Sequence, residues 1–228
     1  MKRIRYVLLI SVLFLLSGCG AVKTGIQEEN SAFVSDEPQQ EQRETPADSG
    51  THKILIAYFS WAENAVQDDI DAMTSASVKM PGNVAQLAVW IEEETDGDLF
   101  SIQVTESYPA DWDGCLARAN EEKANNIHPE LAQTLDNIDD YDIVFLGYPN
   151  WWYSCPMAIH SFLDTHDLSG KQVYLFCSHG TGGLANSVND IARDMPEAIL
   201  SEDVFHVYED DTASAKVDLI TWLEGVEN

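Results

Sequence analysis

Basic residues are scarce in this chain. Twelve Lys and Arg stand against 39 Asp and Glu over 228 residues, a formal charge of −27. Lys2, Arg3 and Arg5 crowd the start, so nine basic side chains serve all the rest. A field of that sign repels polyanions and excludes nucleic acid as a partner. A phosphate can still be held, but only against local backbone N–H donors. Cysteine is sparse as well: four residues and no CxxC spacing. With Cys19 set apart, Cys115, Cys155 and Cys177 are an odd set and make no disulfide framework, although one pair stays open. The six histidines are scattered, and His160 and His166 miss the i,i+4 spacing of paired ligands on a helix, so no zinc pattern is present. No apolar run is long enough to span a bilayer. The longest, Tyr6 to Leu16, is too short and wrongly flanked.

That run follows a basic start and closes at Leu16-Ser17-Gly18-Cys19. Residues 1–18 therefore read as a secretory signal. The closing tetrapeptide resembles a bacterial lipobox. The resemblance implies cleavage before Cys19, a diacylglyceryl group on its sulfur, and attachment to the outer face of a cell membrane. Residues 19–51 are rich in Glu, Gln, Ser, Pro and Asp and carry almost no periodic apolar positions. They are expected to be a disordered acidic tether.

Residues 52–228 suit one domain. Apolar strand-like runs occur at Lys53–Phe59, Leu99–Val104, Asp142–Pro149, Gln172–Ser178 and Asp203–Glu209. Helical spacing alternates with them, clearest at Val84, Leu87, Ala88 and Ile91, after Pro81-Gly82 and a capping box of Asn83 with Gln86. A second helix is expected behind an Asp cap at Asp111 or Asp113. The central runs are apolar on both faces, as in parallel strands covered on each side. The pattern predicts a three-layer α/β domain with five parallel strands, its ligand site beyond the carboxyl ends of the strands.

Three loops leave those ends. The first, "FSWAENA", has side-chain oxygens at Ser60 and Asn64, no lysine, and so is not a Walker A loop. It has no glycine either, which implies ordinary backbone angles at Trp61 and Glu63. The Glu63 carboxylate must then turn to solvent or to the following segment for a phosphate to fit. The second, "GYPNWWYSCP", gathers stacking aromatics at Trp151 and Trp152. The third, "SHGTGGLANS", offers backbone amides at Gly180, Gly182 and Gly183. Polar donors, aromatics and glycine amides together suit a flavin mononucleotide better than a nucleoside triphosphate. An α/β-hydrolase built on Ser178 and His179 fits poorly, since GxSxG is absent and nucleophile and base are adjacent.

"KILIAYFSWAEN", "DIVFLGYPNWW" and "QVYLFCSHGTGG", with their spacing, resemble bacterial flavodoxin-like proteins of the long-chain-insert type. The resemblance spans about Lys53 to Val226. It implies a parallel sheet of order 2-1-3-4-5 and non-covalently bound FMN. Ser60 and Asn64 match the family's phosphate loop, with the Trp61, Ala62, Glu63 and Ala65 backbone between and beside them. Pro149, Asn150 and Trp151, with Trp152 adjacent, match the segment against the isoalloxazine. Ser178, His179, Gly180, Gly182 and Gly183 fall in the loop that meets the other edge of the ring. The chain departs from the family at Ala62 and Ala65, where hydroxyls are usual, and at Glu63, where glycine is usual. Residues 65–82 form an insert before the first long helix, expected as a lid over the flavin or a substrate cleft.

These residues suggest electron transfer, or flavin-dependent reduction of a small acceptor such as a quinone, with His179 as a candidate proton donor. A non-catalytic electron carrier that docks onto a basic partner is the alternative, as is a ligand-binding lipoprotein with a degenerate flavin site.

Overall fold

The computed structural model describes residues 52–66 and 75–226. The expected signal, Cys19, the tether and the middle of the insert (67–74) lie outside the described residues. The chain divides into two units, 1–48 and 49–228, and only the second falls among the described residues.

Strand β1 (Ile54–Tyr58) lies inside a wholly parallel sheet. It is flanked by β2 (Asp98–Ser101) and β3 (Ile143–Pro149), with β4 (Gln172–His179) beyond β3. The order is β2-β1-β3-β4-β5. Two short strands share the last position: β5 (Ile199–Leu200) pairs with Gln172–Val173, and β6 (Phe205–Tyr208) with Phe176–His179. The expected strand order is found, with a sixth strand added. β5 has two residues, too few to carry a period.

The helices are α1 (Trp61–Asn64, one turn), α2 (Asn83–Thr95), α3 (Trp112–Asn125), α4 (Met157–Thr165), α5 (Ser187–Asp194) and α6 (Lys216–Val226). They form two layers. Leu55 and Ala57 of β1 join one apolar core with Cys115, Ile159, Phe162 and Ile191, from α3, α4 and α5. Ile56 and Tyr58 face the other way, into a core with Leu87 and Ile91 of α2 and Leu219 of α6. The period-two alternation of β1 therefore feeds both cores. Burying each such Leu or Ile stabilises the fold by about 1.5–3 kcal/mol.

Helix ends follow local chemistry. Asp111 caps α3, its carboxylate accepting from the Gly114 amide at 2.8 Å. The expected capping box at Asn83 does not form. Gly82 is the N-cap of α2, and the Asn83 side chain turns away to other partners. Cys115, Cys155 and Cys177 are all free and buried, so the open pairing is not made. Burial pushes the thiols up, Cys115 and Cys155 each to about 12. No helix among the described residues is long and apolar enough to cross a membrane.

Candidate functional site: a cleft at the carboxyl edge of the sheet

Parallel strands present their carboxyl ends together, and the loops leaving β1, β3 and β4 enclose a cleft of about 240 Å³. All three expected loops reach it. The first contributes Trp61; the second Pro149, Asn150, Trp151 and Trp152; the third Ser178, His179, Gly180 and Gly182. Tyr153 and Thr181 extend those loops, and Trp112 at the start of α3 closes the aromatic side. Ser75 and Ser77, from the described part of the insert, and Glu209, just after β6, complete the wall. Among the described residues no Lys or Arg lines it. A larger hollow, about 1290 Å³, opens at the amino ends of the strands around His52, Ile143 and Gln172, away from the three loops.

The first loop is built from a helical turn. Trp61 and Glu63 take ordinary backbone angles, as the absence of glycine implies. Its side chains do not all face the cleft. Asn64 is a clamp: Nδ2 donates to the Ser60 and Ile102 carbonyls at 2.9 and 3.0 Å, and Oδ1 accepts from the Val104 amide at 2.9 Å. With both ends of the amide used inside the protein, Asn64 is not placed to bind a phosphate through its side chain. Glu63 is half-buried and does not line the cleft. It accepts hydrogen bonds from the hydroxyls of Tyr58, at the end of β1, and Ser101, at the end of β2. Burial and the Glu63 charge push the Tyr58 hydroxyl up to about 12. Ala62 and Ala65 are buried and do not line the cleft.

Ser60 is different. It is 1% exposed, and its Oγ has no hydrogen-bond partner among the described residues. A Cβ built on Gly82 would lie 2.1 Å from that oxygen and 3.4 Å from the Ser77 carbonyl, so the loop, the insert and the start of α2 converge there. The first amides of α2 also lack intrahelical acceptors, and the helix dipole makes that end favourable for an anion. An orphaned buried hydroxyl aimed at a free helix end fits a phosphate. Asn83, the first residue of α2, ties this corner together by donating to the Glu209 carbonyl at 2.9 Å and to Ser178 Oγ at 3.3 Å.

The second loop is a two-residue hairpin turn. Trp151 and Ser154 exchange both backbone hydrogen bonds, at 2.8 and 3.0 Å. Trp152 and Tyr153 sit between them at φ 48° and 67°. Such turns normally take Asn-Gly. Bulky residues there carry strain of about 1–3 kcal/mol each. The Lys123 ammonium bonding the Trp152 carbonyl and the Asn186 amide bonding the Tyr153 carbonyl hold the turn in place. Trp151 packs edge-on against Phe59, Trp61, Tyr108 and Trp152. Asn150 spends its amide on the Leu184 carbonyl at 2.8 Å.

In the third loop Gly182 packs against the Tyr153 ring, and Gly183 has φ 59° without lining the cleft. His179 has both ring nitrogens engaged, Nδ1 with the Gly180 carbonyl at 2.7 Å and Nε2 with His206 Nδ1 at 3.0 Å. It therefore has no ring nitrogen free for a proton transfer in this arrangement. Nor does it bond Ser178, so no Ser–His couple exists for hydrolysis. His206 is held below its ordinary value by burial and by the neighbouring imidazole.

The flavodoxin family model matches residues 53–226. The chain belongs to the flavodoxin family. A protein of Bacteroides eggerthii assigned as a flavoprotein is 25% identical, with a TM-score of 0.60 over 78% of this chain and 99% of its own. A similarly assigned Bacteroides uniformis protein is 23% identical, TM-score 0.60, over 76% and 98%. A flavoprotein from Lactobacillus acidophilus, solved in complex with FMN, is 24% identical, TM-score 0.51, over 72% and 97%. No curated protein sequence matches this flavodoxin-family chain.

Proposed function

We propose that this flavodoxin-family protein binds FMN in the cleft and transfers electrons, reducing a small acceptor such as a quinone at the outer face of the cell membrane, where Cys19 anchors it. The observation that carries the cofactor is the buried, unpartnered Ser60 hydroxyl aimed at the free amino end of α2. The FMN complex of the Lactobacillus acidophilus relative supports the same cofactor. FMN is a two-electron and one-electron carrier when bound.

The chain's own residues bind and orient it. Ser60, Ser75, Ser77 and the first amides of α2 hold the phosphate. Trp151 and Trp152 supply aromatic surface for the ring, and the Gly180–Gly182 backbone borders its other edge. The acidic field of the protein disfavours further negative charge in the cleft and lowers the reduction potential. The protein's visible spectrum and the fluorescence of titrated FMN test the proposal. Quenching of FMN fluorescence is expected; a colourless protein that leaves it unquenched overturns the flavin assignment.

The formal charge of −27 favours a second possibility, a carrier that docks onto a basic partner and has no substrate of its own. Steady-state turnover with NAD(P)H and a quinone marks the reductase. Photoreduction without turnover marks the carrier.

A further inference from the structure

Glu209 occupies the hydroxyls that face the anion corner. Its Oε2 accepts from Ser75 Oγ at 3.0 Å, and Ser77 Oγ lies 3.5 Å away. Its backbone carbonyl accepts from Asn83 Nδ2, so the residue is pinned to the first turn of α2. The orphaned Ser60 hydroxyl meets the same helix end across Gly82. A carboxylate oxygen thus stands where an oxygen of a bound phosphate would collect these hydroxyls. Ser75 and Ser77 also bond each other, Oγ to Oγ at 2.5 Å, which uses one of their two O–H groups, so carboxylate and phosphate compete for the other. Among the described residues no Lys or Arg lines the cleft to neutralise either anion. Gly180 borders the carboxylate, and an added Cβ there would be in van der Waals contact with Glu209 Oε1 at 3.6 Å.

We propose that Glu209 is a specificity-determining residue of the cofactor site: an internal anion that holds Ser75 and Ser77 and must be displaced by the ligand's phosphate. The inference rests on the FMN assignment and adds to it a discrimination that the fold alone does not require. The site sets its affinity for phosphorylated ligands by the cost of moving one carboxylate. The riboflavin end of the ligand, lacking phosphate, is indifferent to Glu209.

E209Q tests this, because it removes the charge and keeps the shape. FMN and riboflavin are titrated by fluorescence against the wild-type protein and the variant, and inorganic phosphate by calorimetry. The FMN dissociation constant is expected to fall about tenfold in E209Q while that of riboflavin stays unchanged. Inorganic phosphate is expected to bind the variant more tightly. Equal shifts for both flavins, or no shift for FMN, overturn the proposal. E209A, which removes the side chain altogether, must show the same FMN preference, with thermal melts confirming that both variants fold. If neither flavin binds any form, the FMN assignment fails. The phosphate titration then decides the role of Glu209: tighter binding to E209Q upholds it, and equal binding overturns it.

Discussion

Gly82 faces Ser60 so closely that a methyl group on it would lie 2.1 Å from the serine hydroxyl. Gly82 has φ −65° and ψ 155°, angles that alanine adopts freely. G82A therefore acts only through space, by turning the Ser60 hydroxyl away from the end of α2 and by pressing on the Ala62 Cβ, 3.1 Å away. FMN affinity should drop about tenfold, the loss of one hydrogen bond to a charged group. The stability cost should be about 1–3 kcal/mol, because the serine rotates but the Ala62 Cβ must shift. S60A makes the sharper test. It deletes an unsatisfied buried hydroxyl, so urea unfolding of the apoprotein should show equal or slightly higher stability. FMN binding should weaken all the same. Undiminished FMN affinity in S60A would remove Ser60 from the site.

Asn64 should behave in the opposite way. Its amide serves the Ser60 and Ile102 carbonyls and the Val104 amide, and it is 3% exposed. N64A strands those groups away from water, at a cost of about 2–4 kcal/mol. Urea unfolding should register that loss, and hydrogen exchange at the Val104 amide should quicken. A variant as stable as wild type that binds FMN poorly would instead make Asn64 a ligand contact.

The contrast between these two residues marks how far the sequence can be read. The alternation of Leu55, Ile56, Ala57 and Tyr58 and the spacing of Val84, Leu87 and Ile91 are local patterns. They yield strand order and helices because burial acts at each position in turn. The three loops could likewise be placed at one edge. Ser60 and Asn64 look equivalent in the sequence as polar residues on one turn. Which way each side chain points depends on partners some 40 residues away, Ile102 and Val104 for Asn64. Ser75 meets Glu209 across 134 residues, and no spacing announces that pair. The Trp152–Tyr153 turn was hidden for another reason: its residues are not the ones that positive φ favours.

Two tryptophans on the cleft wall should separate packing from binding. Trp151 is 8% exposed, with four aromatic neighbours at centroid distances of 5.2–5.9 Å. W151A should cost about 3–5 kcal/mol, as expected for an emptied aromatic core position. Trp112 is 39% exposed and, among the described aromatic rings, meets Trp61 edge-on and Trp152 at a tilt. W112A should change stability by less than about 1 kcal/mol. It should nevertheless reduce the quenching of flavin fluorescence, because the ring lines the cleft mouth. If W112A leaves quenching intact, the flavin lies away from that wall.

His166 should set a pH dependence of stability remote from the cleft. Its Nε2 accepts from the Leu135 amide at 2.9 Å, and Nδ1 donates to the Phe162 carbonyl at 2.9 Å. The ring must therefore be neutral, and burial holds it below its ordinary value, opposed by the Phe162 hydrogen bond. In the unfolded chain the same histidine protonates near pH 6.5. Between that pH and the lower folded value the unfolded chain binds more protons. Stability then falls with pH, by at most about 1.4 kcal/mol per pH unit. Above the unfolded value the contribution of the neutral ring is fully present. Below the folded value both states are protonated and the loss levels off. H166Q keeps a polar side chain and cannot titrate, so it should remove this component. Urea unfolding at pH 7.5 and at pH 5.5 gives the slopes for both proteins. The wild type should lose more stability than H166Q over that interval, and equal losses would show that His166 contributes nothing to the acid sensitivity of the domain.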